Sequence, residues 1–135
     1  MFNFLRNKIY KIDKNGNKKR VFFILGIRFS FKGKNSVVGI HEPVAKFDRC
    51  RIVCGNNCFV SIDTSSYRIK KLRILANSDN SSITIGKDFS LTSLCEIVIT
   101  PENNLGVTIG DDCQFGSKII IRVTDGHKII SLEDG

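Results

Sequence analysis

Residues 107 to 127 read Val107-Thr-Ile-Gly-Asp-Asp-Cys-Gln-Phe-Gly-Ser-Lys-Ile-Ile-Ile-Arg-Val-Thr-Asp-Gly-His127, and most of this stretch has already occurred once in the chain. Setting residues 82–100 against 106–124, an offset of 24, gives seven identities in nineteen positions: Thr84/Thr108, Ile85/Ile109, Gly86/Gly110, Asp88/Asp112, Ser93/Ser117, Ile97/Ile121 and Thr100/Thr124. Ile83/Val107, Leu91/Phe115 and Ile99/Val123 match in character. Within each copy the large apolar residues step by six, as Ile85, Leu91, Ile97 and as Ile109, Phe115, Ile121. Self-similarity of this kind marks a repeat architecture in which each unit buries its apolar face against the next. A step of six predicts three short strands per coil. If every sixth side chain points inward, a triangular prism closes after 18 residues.

Outward from this core the same grammar recurs. Gly33-Lys-Asn35, Gly55-Asn-Asn57, Gly86-Lys-Asp88 and Gly110-Asp-Asp112 are turn signals able to supply the left-handed backbone that corners require. Their offsets of 22, 31 and 24 all exceed 18, which predicts loops projecting from corners. Pro101-Glu-Asn-Asn-Leu-Gly106 reads as one such polar loop, with longer ones expected near Pro43 and within residues 63–71. Cys58 and Cys113 follow their turns at the same distance, with Phe89 at the equivalent site between them. They are expected as stacked apolar residues of successive coils.

Five cysteines, Cys50, Cys54, Cys58, Cys95 and Cys113, are an odd number in a chain with no secretion signal, which argues for reduced thiols. Cys50-x3-Cys54-x3-Cys58 has no Cys-x2-Cys pair and no histidine at ligand spacing, so no metal is expected. At 135 residues, 41% hydrophobic and 25% charged, the chain predicts one domain. No apolar run approaches the roughly 18 residues of a membrane span. The N-terminus lacks a signal-peptide core, so the expected compartment is the cytoplasm.

The N-terminal region, residues 1–32, is a different kind of sequence. Phe2, Leu5, Ile9 and Ile12 fall at helical spacing in a segment too short and basic to stand alone, and a short amphipathic cap is expected. Asp13-Lys-Asn-Gly-Asn17 signals a turn. Val21, Phe23, Leu25, Ile27, Phe29 and Phe31 then alternate as a strand with one buried face. Residues 1–35 carry ten Lys/Arg against Asp13 alone, whereas residues 36–135 carry eleven against twelve. Such asymmetry points to an anionic partner, such as a phosphate-bearing lipid, an acidic glycan or nucleic acid, or to a solvated terminal segment. Nucleic acid is disfavoured as that partner, because the interleaved aromatics read as strand core and no nucleic-acid motif is present.

The repeat resembles that of the hexapeptide-repeat acyltransferases, which fold as left-handed parallel β-helices and depart from the right-handed crossover rule. The resemblance covers roughly residues 33–132. It sharpens at Ile121-Arg-Val-Thr-Asp-Gly-His127-Lys-Ile129, which looks like the point where sugar O-acetyltransferases of capsule and lipopolysaccharide synthesis carry a histidine just after a coil. The resemblance implies an all-β chain: a basic N-terminal cap and strand segment over 1–32, then coils over 33–135 ending in the His127 loop. It also implies acetyl-CoA as co-substrate, a sugar or glycolipid acceptor and a homotrimer. His127 would be the general base on the acceptor hydroxyl. An imidazole with an ordinary pKa of about 6.5 suits that task, and positioned proton transfer is worth on the order of 10² to 10⁴ in rate. Asp125 would orient the imidazole, or it is a plain Asp-Gly turn residue.

Two alternatives accompany this reading. Were the six-residue step unbroken past Ile121, His127 would point into the core; the turn chemistry of Thr124-Asp-Gly126 predicts a break instead. His41, in Gly39-Ile-His-Glu-Pro43, carries no motif and is expected in a loop. Members of the resembled family continue past the histidine with coils that complete the coenzyme A site, and no segment here matches them. The expectation is therefore the N-terminal, acceptor-side part of such an enzyme. The competing function is a non-catalytic β-helical scaffold or glycan-binding module.

Overall fold

Ile85, Leu91 and Ile97 are all buried, and they lie on three different short strands that face one another. The step of six therefore carries the chain from one side of a solenoid to the next. The structure is a computed structural model that describes residues 6–99, 104–116, 118–123 and 129–132, with only the backbone of Ala45 and of 129–132. Within these residues the chain is all-β and parallel in its stacking.

Each coil visits three sides in turn. The first coil of regular form consists of β4 (Val37–His41), β5 (Val44–Asp48) and β6 (Cys50–Cys54), and the second of β7 (Phe59–Ile62), β8 (Ser65–Lys70) and β9 (Leu72–Ala76). The third consists of β10 (Ser82–Ile85), β11 (Ser90–Leu91) and β12 (Cys95–Ile99). The fourth consists of β13 (Gly106–Ile109), β14 (Gln114–Phe115) and β15 (Ile119–Val123), after which β16 (Ile129–Leu132) returns to the first side. Equivalent strands pair in parallel across all three sides. The two-copy register read from the sequence is the one observed: Ser82 pairs with Gly106, Leu91 with Phe115 and Ile97 with Ile121.

The 18-residue coil with projecting loops is corrected. Successive partners on the first side are Val37, Phe59, Ser82, Gly106 and Ile129, so a coil takes 22 to 24 residues. The first and third sides each present more than one inward residue. Val60/Ile83/Val107 and Ile62/Ile85/Ile109 run as two buried columns on the first side, and Leu72/Cys95, Ile52/Ile74/Ile97/Ile121 and Cys54/Ala76/Ile99/Val123 as three on the third. The neighbourhoods of Pro43 and of residues 63–71 hold no long loop; β5 and β8 occupy them. Residues 101–103 of the supposed polar loop lie outside the described residues. Leu105 belongs to the core, stacked by register above Ser36, Cys58 and Ser81.

The four Gly-x-[Asn/Asp] signals belong to two different corners, which explains the anomalous offset of 31. Asn35 and Asn57 turn the chain from the third side to the first, and Asn80 and Asn104 repeat that role without a preceding glycine signal. Asp88 and Asp112 turn it from the first side to the second. All six residues have φ between 54° and 63°. Asn and Asp tolerate this left-handed conformation better than most residues. The twist aims each N–H along the solenoid axis: Asn57, Asn80, Asp88, Asn104 and Asp112 donate to carbonyls of Lys34, Asn56, Thr64, Asp79 and Lys87 at 2.7 to 2.9 Å. Corner backbone is thereby satisfied without leaving the coil. Cys58 and Cys113 consequently sit in different columns, although both are buried as expected.

At the N-terminal end the stack is completed differently. β1 (Lys8–Ile12) pairs parallel with β4 and antiparallel with β2 (Lys18–Val21), and β3 (Ile27–Phe31) pairs parallel with β6. Residues 8–12, read from sequence as part of an amphipathic cap, are thus a strand; residues 1–5 lie outside the described residues. The continuous strand expected over 21–31 is interrupted. Ile24 turns inward and bridges Ile27, with Gly26 at φ +90° in the third place of the turn. Phe22, Phe23 and Leu25 are left 90%, 72% and 85% exposed.

Candidate functional site

The sequence singled out Asp125 and His127, and both lie outside the described residues. Their frame is described. β15 pairs along its whole length with β12, and Ile121 and Val123 are buried. β16 then pairs with β13, so that the buried Val107 and Ile109 have Ile130 and Leu132 as partners. In sequence, Thr124-Asp-Gly-His127 therefore falls between the end of the fourth coil and the first strand of the next. His41, expected in a loop, is instead the last residue of β4, paired with Ile12 and half-buried.

Five cysteines are buried thiols. Burial pushes the Cys54 thiol up to about 12, with the neighbouring Cys58 adding to the effect. Burial does the same to Cys95, also to about 12, reinforced by Glu96. Burial likewise raises Cys50, against hydrogen bonds that favour its thiolate. Thiols held neutral in this way are poor nucleophiles and poor metal ligands. Among the described residues no cluster of three or more His, Cys, Asp or Glu could hold a metal ion.

A strongly cationic surface on the third side was hidden from the sequence count. Arg28, Arg51 and Arg73 are Cα partners on β3, β6 and β9, and alternation turns all three outward from the third side while Ile27, Cys50 and Leu72 turn inward. Beside this row runs the corner leading into the third side, occupied by Gly26 before β3, by Arg49 in the first coil and by Lys71 in the second. Arg49 and Lys71 have φ of 57° and 58°. Unlike Gly, Asn or Asp, these residues enter the left-handed region at a cost on the order of 1 kcal/mol each. Lys70 and Lys118 flank the corner, and a shallow depression of about 530 Å³ is lined by Gly26, Arg28, Arg49, Cys50, Arg51 and Arg73 among others.

Two carboxylates face these cations. Asp48 lies 3.7 Å from Arg49, and Glu96, the next residue in the arginine row, lies 3.3 Å from Arg73. Among the described residues Arg28 and Arg51 have no ion-pair partner. Like charges directly opposite on neighbouring strands are destabilising, by an amount on the order of a few tenths of a kcal/mol per pair. Sequence reasoning missed this row because it counted residues 36–135 as balanced. The signal was present as Arg at 28, 51 and 73, spaced 23 and 22 apart, once the true coil length is known.

No family model, no curated protein and no solved structure matches the chain.

Proposed function

We propose that the chain is the acceptor-side part of an enzyme that transfers the acetyl group of acetyl-CoA to a sugar hydroxyl in surface-polysaccharide synthesis. The observation that carries this reading is the parallel β-solenoid ending its fourth coil at Val123, directly before Thr124-Asp-Gly-His127. In this reading His127 takes the proton of the acceptor hydroxyl as the oxygen attacks the thioester carbonyl, and Asp125 orients the imidazole. Protonated His127 then returns the proton to the departing coenzyme A thiolate. A cytoplasmic homotrimer acting on a sugar or glycolipid acceptor completes the proposal. Release of free coenzyme A thiol with sugar acceptors is the test. Transfer is expected to fall by at least 10²-fold in His127→Ala, and full activity in that variant overturns the assignment of the base.

Contact with an anionic lipid surface belongs to the same proposal. Phe22, Phe23 and Leu25 are exposed beside Lys18, Lys19 and Arg20, the combination of apolar wedge and cations that such surfaces attract. No helix among the described residues is long and apolar enough to cross a membrane. Co-sedimentation with anionic vesicles is expected and should be lost in Phe22→Ser/Phe23→Ser; unchanged sedimentation of that variant refutes the contact.

The second reading, a non-catalytic scaffold or glycan-binding module, is favoured by the cation-rich third side, which needs no chemistry to bind an acidic ligand. Acetyl transfer to a sugar acceptor, present under the first reading and absent under the second, separates the two.

A further inference from the structure

We infer that the arginine row on the third side is a binding site for a diphosphate group. Its basis is independent of acetyl transfer and of His127. Two features of the fold work against stability at the same place. Three guanidinium groups stand in register on neighbouring strands, where they repel one another, and two cationic residues occupy left-handed corners that the turn before β3 fills with Gly26. Backbone strain gathers at ligand sites because the surrounding structure holds it there. Here the surrounding structure is a rigid stack: Ile52 and Ile74, which lie between the outward arginines and the next residues of their strands, are fully buried. The row is thus carried on a fixed rack of backbone.

The spacing selects the ligand. Adjacent strands lie about 4.8 Å apart, so Arg28, Arg51 and Arg73 extend over roughly 10 Å. A guanidinium presents a planar fork that pairs two N–H groups with two oxygens of one phosphoryl group. A single tetrahedral anion can bridge two neighbouring forks and leaves the third unmatched. Two linked phosphoryl groups span the row, with Arg49 and Lys71 closing on it from the corner. Asp48 and Glu96 each engage a cation at the margin, on Arg49 and Arg73. Within the row they leave Arg51, in the centre, and Arg28 without ion-pair partners among the described residues.

Isothermal titration of the full chain with inorganic pyrophosphate, at physiological salt, tests the site. Pyrophosphate is expected to bind at least tenfold more tightly than inorganic phosphate. Loss of one charge-assisted contact is expected to weaken it about tenfold or more in Arg51→Ala. Arg51→Lys keeps the charge and removes the fork, and is expected to lose most of the same affinity. Lys87→Ala, exposed at the corner between the first and second sides of the third coil, is expected to bind like the parent. Because the row is self-repelling, Arg51→Ala should melt no lower than the parent protein, and pyrophosphate should raise the melting temperature of the parent but not of this variant. Titration with a nucleoside diphosphate and with a short prenyl diphosphate identifies which source of the group the site takes. Absence of pyrophosphate binding, equal affinity for phosphate, or equal weakening by Lys87→Ala overturns the inference.

Discussion

The coils before Ala76 and those after it share three sides and the same columns of buried residues, yet they turn their corners with different chemistry. In the earlier coils two residues, Glu42-Pro43 and Asp63-Thr64, join the first side to the second, and a single left-handed cation, Arg49 or Lys71, joins the second to the third. In the later coils these corners hold four and three residues, with Asp88 and Asp112 taking the left-handed positions, and the second-side strands shrink to two residues. Charge divides with the corners. Residues 1–73 carry seventeen Lys/Arg against four Asp/Glu, while residues 74–135 carry four against nine. The solenoid is therefore one architecture with two electrostatic ends. Core columns tolerate a change of corner as long as each coil returns to register, so corner residues are free to serve binding.

The largest expected effect tests what the two regions share. Cys54 belongs to the earlier coils and Cys95 to the later, and burial holds both near 12. Because the folded values lie above the unfolded value of about 8.5 to 9, stability from the neutral thiols is complete below about pH 9 and is lost as pH rises toward 12. Chemical unfolding is expected to show a loss of several kcal/mol across that window. Cys54→Ala and Cys95→Ala should each flatten the slope by a similar amount; a response confined to one of them would break the equivalence of the two regions.

A smaller effect separates the regions. A methyl group added at Gly26 would meet the Phe47 carbonyl oxygen at 2.0 Å, at a φ of +90°, in the tight corner of the earlier end. Gly116, in the longer corner of the fourth coil, has nothing nearer than Thr92 Oγ1 at 3.9 Å. Gly26→Ala is expected to cost about 3 kcal/mol or more from combined overlap and backbone strain. Gly116→Ala should stay within about 0.5 kcal/mol. Equal costs in thermal melts would show that the corners do not differ as described.

How much of this was readable follows from the same contrast. The later coils announce themselves, because Gly86-Lys-Asp88 and Gly110-Asp-Asp112 mark one corner twice at an interval of 24 residues, and their register matches the structure. In the earlier coils the same signal marks a different corner, and the one-residue turns at Arg49 and Lys71 have no recognisable turn chemistry at all. The strand alternation through Phe23 and Leu25 misled for a related reason: period-two patterning does not reveal that Ile24-Leu-Gly-Ile27 folds back on itself. The candidate functional residues divide likewise. Asp125 and His127 were visible through local resemblance and lie outside the described residues. The arginine row, by contrast, exists only through pairing between strands 22 and 23 residues apart, which no local window contains.

The two-ended account is tested most directly by mapping pyrophosphate onto the backbone amides of the whole chain by heteronuclear NMR. Shift changes are predicted to concentrate at Arg28, Arg49, Arg51, Lys71 and Arg73, leaving residues 106–115 unmoved. Changes spread evenly over both ends, or centred on the later coils, would contradict it.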